Sequence, residues 1–276
     1  MSTPQQEKAN KTIYRIRSVV PETPDTATLE LVRADGGAVP DFAPGQYNMV
    51  HVNNVGAAAM AICVHPDAPD VLLHTVRAVG RVTEALCGLD AGAEITVSGP
   101  FGAGWPLEPA EENDVVIVAG GIGLAPMRPL VHALIRQRER YGHTTVLYGA
   151  RTPEDILYRK ELERWRGRFD MEVLVTVDRA SRDWHGPVGV FTNLIPRAPF
   201  DPYYAVAYIA GPEVMMTYAV EALHRRGVRK DWQFVYMQRD LKRGVREIAT
   251  CDAEKSGLTG PVFRFDEVEQ FLAARE

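Results

Sequence analysis

Between Val115 and Leu130 the chain reads VVIVAGGIGLAPMRPL: an apolar, mostly β-branched run, then glycines at 120, 121 and 123, then an amphipathic pattern that continues to Arg140. That succession predicts a strand, a glycine turn and a helix. A strand tolerates an unbroken apolar run when helices cover both faces of its sheet. The turn brings unpaired helix N–H groups, at the positive end of a dipole, above the strand's carboxyl end, where a phosphate is the natural ligand. A tight turn that merely needs small residues remains the alternative.

The same reading divides the whole chain. Before position 100, the runs TIYRIRSVV, TATLELV, YNMVHV, MAICV, DVLLHTVRAV and EITVSG are short and separated by Pro, Gly and Asp clusters. Six short strands with one helix, Val82 to Leu89, predict a small Greek-key β barrel over residues 12–106. From Asp114 the pattern changes to alternation: VVIVAG, a helix over 124–140, TTVLYGA, a helix over 154–166, MEVLVTVD, a short helix near 189–194, YAVAYIAG, a helix over 213–226 and QFVYM. Strands alternating with helices predict an α/β unit over 114–237 built on a doubly wound parallel sheet, with ligands beyond the carboxyl ends of its strands. Leu107 to Asn113 reads as the linker, residues 1–11 as a disordered amino terminus, and 238–276 as a short carboxyl-terminal lobe.

Composition narrows the class without choosing a function. The chain has 276 residues, 46% hydrophobic and 24% charged, which is globular composition. No apolar stretch is long enough for a membrane span, and the polar start MSTPQQEKANK has no signal core, so membrane insertion is not expected and a cytoplasmic location is. The net charge of −5, with no dense basic run, gives no electrostatic reason to expect nucleic acid. Cys63, Cys87 and Cys251 are widely spaced and odd in number, which suits reduced thiols. The seven histidines show no paired ligand spacing, so no metal site is expected, and no nucleophile elbow or triad order is visible.

FAPGQYNMV (42–50), HTVRAVGRVTEAL (74–86), GPFGAGWP (99–106), VAGGIGLAP (118–126), YGARTPEDILYRKEL (148–162), AGPEVMM (210–216) and GPVFRFDEV (260–268) stand in an order that resembles the ferredoxin-NADP reductase superfamily along nearly the entire chain. Within it the resemblance is to the flavin-carrying gamma subunits of cytoplasmic nickel-iron hydrogenases (sulfhydrogenases), the electron-transfer subunits of dihydroorotate dehydrogenase and a subunit of anaerobic sulfite reductase. It implies a flavin-binding-type barrel followed by a nucleotide-binding α/β domain, FAD as cofactor, NAD(P)H as substrate and an iron–sulfur partner subunit. Pro40, Pro44 and Gly45 interrupt the chain before Tyr47, which in the family turns a strand beneath the flavin.

Carried over position by position, the family's sites are unevenly kept. Its R-x-Y-[ST] strand places a side chain on the flavin ring and a hydroxyl near N5; here Ala58, Ala59, Met60, Ala61, Ile62 and Cys63 stand there, with no arginine and no hydroxyl. The resemblance casts Met60 as the ring-packing residue, through an adaptable thioether, and leaves Ala61 at N5 without a donor; it also implies Ile62 and Thr75 as cofactor-binding residues. Gly80, Arg81, Val82 and Thr83 match the G-x-x-[ST] turn that holds the FAD pyrophosphate, with Arg77 or Arg81 left to supply the cation. A turn of this kind is equally an ordinary helix cap. Gly121, Ile122, Gly123, Leu124 and Pro126 make the nicotinamide-nucleotide turn, and Arg151 and Thr152 lie where relatives meet the adenosine ribose or its 2′-phosphate, without deciding between NADH and NADPH. An arginine there is also a plausible solvated cap. Tyr158 and Lys160 follow on the next helix, where covering its face is role enough. Ala210, Gly211 and Pro212 replace the family's C-G-P, so the thiol beside the hydride-transfer site is absent.

The family's [2Fe–2S] segment is spaced C-x4-C-x2-C with a fourth cysteine before G-P-V-F. Its positions fall on Arg243, Ile248, Cys251 and Gly257, and one thiolate cannot hold a cluster whose irons each take two protein sulfurs. No 2Fe–2S cluster is expected. Two readings follow. One is an NAD(P)H-dependent flavoprotein subunit that takes hydride onto FAD and passes electrons to an iron–sulfur partner of a hydrogenase-like complex. The other is a degenerate scaffold or regulatory subunit that keeps the fold and not the flavin chemistry.

Overall fold

A computed structural model of the chain describes residues 11–64, 70–237 and 260–273. The amino-terminal strands are β1 (Thr12–Thr23), β2 (Thr26–Arg33), β3 (Tyr47–Val52), β4 (Gly56–Ala61), β5 (Leu72–Arg77) and β6 (Glu94–Phe101), with helix α1 (Arg81–Cys87) between the last two. Tyr14 and Ile16 of β1 are buried while Ile13 and Arg15 face outward, so the period-two pattern read from TIYRIR is the inside–outside pattern of the wall. The sheet runs β4-β3-β6-β1-β2-β5, and its strand pairs are antiparallel. Past the end of β4, Cys63 N–H donates to Leu73 O at 3.0 Å, which joins the two outer strands and closes the barrel. Its interior is filled by Tyr14, Ile16, Leu29, Leu31, Val50 and Met60, among others.

Trp105 carries the chain out of the barrel: its indole donates to Pro126 O at 3.2 Å and its ring packs edge-on against Tyr208. The second sheet has the order β12-β11-β10-β7-β8-β9. Its strands are β7 (Asp114–Gly120), β8 (Thr144–Ala150), β9 (Met171–Val177), β10 (Ala205–Ala210), β11 (Gln233–Tyr236) and β12 (Val262–Arg264), parallel except for β12, which runs antiparallel to β11. The chain lays down β7, β8 and β9 in one direction, then returns to place β10 on the other side of β7. The order therefore reverses between β7 and β10, and a crevice opens beyond their carboxyl ends. Helices α2 (Leu124–Arg136) and α3 (Arg159–Arg166) pack with Val115, Ile117 and Ala119 on one face, while α4 (Glu213–Arg226) and α5 (Phe265–Ala273) cover Val116 and Val118 on the other.

Several expected boundaries move. The helix expected over 124–140 is α2 to Arg136 followed by a 3₁₀ turn, Arg138–Arg140. The helix expected from 154 starts only at Arg159, because Pro153–Asp155 closes a separate 3₁₀ turn and Tyr158 takes the left-handed conformation (φ 49°). The helix near 189–194 is two 3₁₀ turns, Phe191–Asn193 and Ile195–Arg197. The strand read at 60–64 is β4, ending at Ala61, with an extended continuation to Val64. Residues 1–10 and the cluster-segment positions Arg243, Ile248, Cys251 and Gly257 lie outside the described residues.

Candidate functional site

The crevice between β7 and β10 is lined by two glycine turns. Gly121 sits at φ +53° with no atom within 4 Å of where a Cβ would be, so the backbone there is open to a close-lying ligand. Its carbonyl accepts from the Tyr148 hydroxyl at 3.2 Å, which ties the turn to β8. Gly123 has a different constraint. A Cβ there would come within 2.3 Å of Ala210 O, so the residue is small to let the turn meet the end of β10, whatever it does for a ligand. Ile122 is partly buried between them, and Leu124, read as part of the anion-binding helix start, is fully buried with its N–H bonded to Gly121 O. The amides left for a phosphate are those ahead of Leu124. Pro126 lies one step inside, its carbonyl engaged by Trp105.

On the opposite side, Ala210 is fully buried and Pro212 is the N-cap residue of α4. The Met215 thioether fills the space beside Gly120 and Gly211, within 2.2 Å and 2.8 Å of where their Cβ atoms would stand. Nothing in the sequence singles out Met215, whose apolar position on α4 reads simply as helix face. Arg151 follows β8 and is exposed, whereas the Thr152 hydroxyl donates to Asp155 Oδ2 at 3.0 Å in a capping box. Its side chain thus serves the local turn first.

On the barrel side the alternation of β4 decides which residues face the α/β unit. Ala58, Met60 and Ile62 point into the barrel core, while Ala61 and Cys63 join the cluster shared with α2, α3 and Trp105. Met60 was expected against a flavin ring; it packs instead inside the barrel, because adjacent strand residues point to opposite faces. Thr75 corrects the same set: its hydroxyl is committed to Tyr158 Oη at 2.5 Å, Thr28 Oγ1 at 2.8 Å and Cys63 Sγ at 3.3 Å. Behind Ala61, His74 Nδ1 donates to the Ala61 carbonyl at 2.8 Å and Nε2 accepts from Asn48 Nδ2 at 3.2 Å. Burial pushes the His74 pKa down to about 4, so the ring is neutral in the tautomer these bonds require. Tyr47 pairs with Ala61 across β3–β4 and its ring lies 5.8 Å from that of Phe101.

The turn before α1 is where the family resemblance expects the flavin pyrophosphate. Gly80 has open space where a Cβ would be, and the Arg81 and Val82 N–H groups belong to the first helical turn, which has no intrahelical acceptor. Thr83 Oγ1 accepts from Val79 N and Gly80 N at 3.0 Å each, shaping the turn. Both candidate cations have other partners: Arg77 Nε donates to Asp25 Oδ2 at 2.7 Å, and Arg81 Nη2 donates to Val55 O at 2.6 Å. The donor set fits the pyrophosphate of a dinucleotide at this backbone turn. It offers no side-chain donor on the ring side, at Ala61.

Residues 117–221 match the family described as "Oxidoreductase NAD-binding domain". The sulfhydrogenase 1 subunit gamma of Pyrococcus furiosus is 30% identical over 82% of this chain and 80% of its own. A probable dihydroorotate dehydrogenase B (NAD(+)) electron transfer subunit of Methanocella arvoryzae is 31% identical over 90% of this chain and 88% of its own. The chain belongs to the family that holds these gamma and electron transfer subunits. Among solved structures it resembles in fold the FAD/NAD-binding domain of a nitric oxide dioxygenase from Vibrio cholerae (TM-score 0.72, 21% identity, 81% of this chain and 97% of that one). It likewise resembles a ferredoxin NADP+ reductase from Neisseria gonorrhoeae (TM-score 0.68, 18% identity, 80% and 93%). The barrel followed by the parallel sheet is the reductase fold, and the chain is an oxidoreductase of the NAD(P)H:flavin class. Within this reductase-type chain, no helix of the described residues is long and apolar enough to cross a membrane.

Proposed function

We propose that the chain is an NAD(P)H-dependent flavoprotein electron-transfer subunit that works in the cytoplasm and hands electrons to an iron–sulfur partner in a hydrogenase-like complex. The observation that carries this reading is Gly121: an open, left-handed backbone position at the switch point of the parallel sheet. FAD, once bound, supplies the conversion of a two-electron hydride into single electrons. The Gly80–Thr83 amides would hold its pyrophosphate, with the Ala61 backbone beside its ring. The chain's own contribution is then chiefly orientation: the 121–123 turn seats the nicotinamide nucleotide, Met215 fills the floor between Gly120 and Gly211, and His74 holds the Ala61 carbonyl. Arg151, exposed after β8, is placed to influence the choice between NADH and NADPH.

Purified full-length protein decides this by calorimetry with NADH and NADPH, combined with the absorption spectrum before and after adding FAD. Nucleotide binding together with a flavin band that bleaches on adding NAD(P)H is the expected result. Nucleotide binding without retained or bleachable flavin would support the second reading, a scaffold or regulatory subunit, which the alanines at 61 and 210 favour.

A further inference from the structure

Arg128 stands one turn into α2, close behind the 121–123 nucleotide turn, yet its partners belong to two other elements, the extension of β4 and the start of α3. Nη1 donates to Cys63 O at 3.0 Å on the extension of β4, and Nε donates to Glu161 Oε2 of α3 at 2.6 Å. The guanidinium also lies 4.8 Å from the centre of the Tyr158 ring. Glu161 is itself buried, and His132 Nε2 lies 2.7 Å from its other oxygen. Burial opposes the Arg128 charge, but the Cys63, Glu161 and Tyr158 groups around it outweigh that and raise its pKa. An ion pair this far from water brings little net stability, because desolvation consumes most of the attraction, so its use is better sought in geometry.

A second link runs alongside. Thr28 Oγ1 donates to Glu22 Oε1 at 2.8 Å, and a carboxylate only accepts, so the Thr28 hydrogen is spent there. Thr75 must therefore donate to Thr28, and its lone pairs are left for the Tyr158 hydroxyl and the Cys63 thiol. The chain Tyr158 to Thr75 to Thr28 to Glu22 has one direction. Tyr158 reaches it from a left-handed backbone position (φ 49°), an uncommon conformation for a bulky residue that surrounding contacts have to hold.

We propose that Arg128 and Tyr158 are positioning residues of an interdomain clasp, which locks the α/β unit onto the barrel and so sets the distance from the nucleotide turn to the Ala61–Cys63 strand. The consequence for hydride transfer rests on the function proposed above; the clasp itself does not.

The ligand-free full chain tests the clasp by amide hydrogen exchange in Tyr158→Phe, Thr75→Val and the double variant. Thr75→Val orphans a buried phenol, so exchange over 61–64 and 72–77 should quicken about tenfold, whereas Tyr158→Phe, which leaves no unpaired donor, should quicken it about threefold or less. The double variant should return to the Tyr158→Phe level, and Val115–Gly120 should be unaffected throughout. Unchanged exchange in Thr75→Val, simple addition in the double variant, or equal quickening in β7 would each overturn the clasp. For the positioning role, Arg128→Lys keeps the charge but not the planar fork. At saturating NADPH its rate of flavin reduction should fall about tenfold while the Kd for NADPH stays within about twofold. Full rescue by lysine, or a loss confined to affinity, would reduce Arg128 to a charge and overturn its role as a positioner. A wild-type protein whose flavin is never reduced would count against the proposed function, and the exchange results would still decide the clasp.

Discussion

His74 donates through Nδ1 to the carbonyl oxygen of Ala61 at 2.8 Å, and the burial of the ring that makes this bond renders the end of β4 sensitive to acid, although the bond itself favours the protonated ring. Burial lowers the imidazole pKa to about 4, below its ordinary 6.5. The native state therefore prefers the neutral ring. The stability this gives is complete above about pH 6.5 and drains away as pH falls from there through 4, since the unfolded chain takes up the proton first. Between pH 7.5 and pH 5 the loss should be about 2 kcal/mol, read from urea midpoints. His74→Gln should flatten that part of the profile, and an equal fall in the variant would assign the effect to other groups.

The two outer glycines of the nucleotide turn should respond oppositely to substitution. Gly121→Asn keeps a residue that tolerates the left-handed region and meets open space, so the melting temperature should hardly change. Gly121→Asp fits equally well but sets a negative charge against a phosphate, and should weaken NADPH binding about tenfold relative to Gly121→Asn. Gly123→Ala, by contrast, meets Ala210 O and should lower the melting temperature before it says anything about binding. Equal calorimetric affinities for the Asn and Asp variants would remove the phosphate from this turn.

Ala61 faces the shared cluster and offers no donor, so Ala61→Ser should raise the rate at which NAD(P)H reduces bound flavin. Stopped-flow single-turnover traces give the answer, and an unchanged rate would count against a role for position 61 at the ring.

Cys63 and Cys87 both belong to the barrel part of the chain, which leaves Cys251 as the lone sulfur of the carboxyl-terminal segment. The chain should therefore carry no iron–sulfur cluster, and its electrons should leave directly from flavin to a partner's cluster. Iron analysis and low-temperature EPR of anaerobically prepared, dithionite-reduced protein should show neither metal nor signal. About two irons per chain with a reduced-cluster spectrum would refute this and the alignment across 243–257.

Pattern and family resemblance together were enough for the two-part fold. TIYRIR alternates because one face of a barrel wall is buried, and VVIVAG does not alternate because α2 and α4 cover both faces of β7. Such periodicities are local, so they survive in one dimension. The glycine turn at 120–123 was legible for the same reason, as an abrupt change of period around residues without side chains. Which way each site residue points was not. Met60 and Ala61 are neighbours in sequence and face different cores, a matter of strand register that the pairing of β3 with β4 sets. Thr75 and Tyr158 are 83 positions apart, and their contact exists only because the barrel and the sheet pack together. Arg128 is, along the chain, one polar position in the amphipathic pattern of α2. Its meaning lies in Cys63 and Glu161, brought beside it by two different chain reversals, and a contact made by long-range packing leaves no period along the chain for the sequence to display.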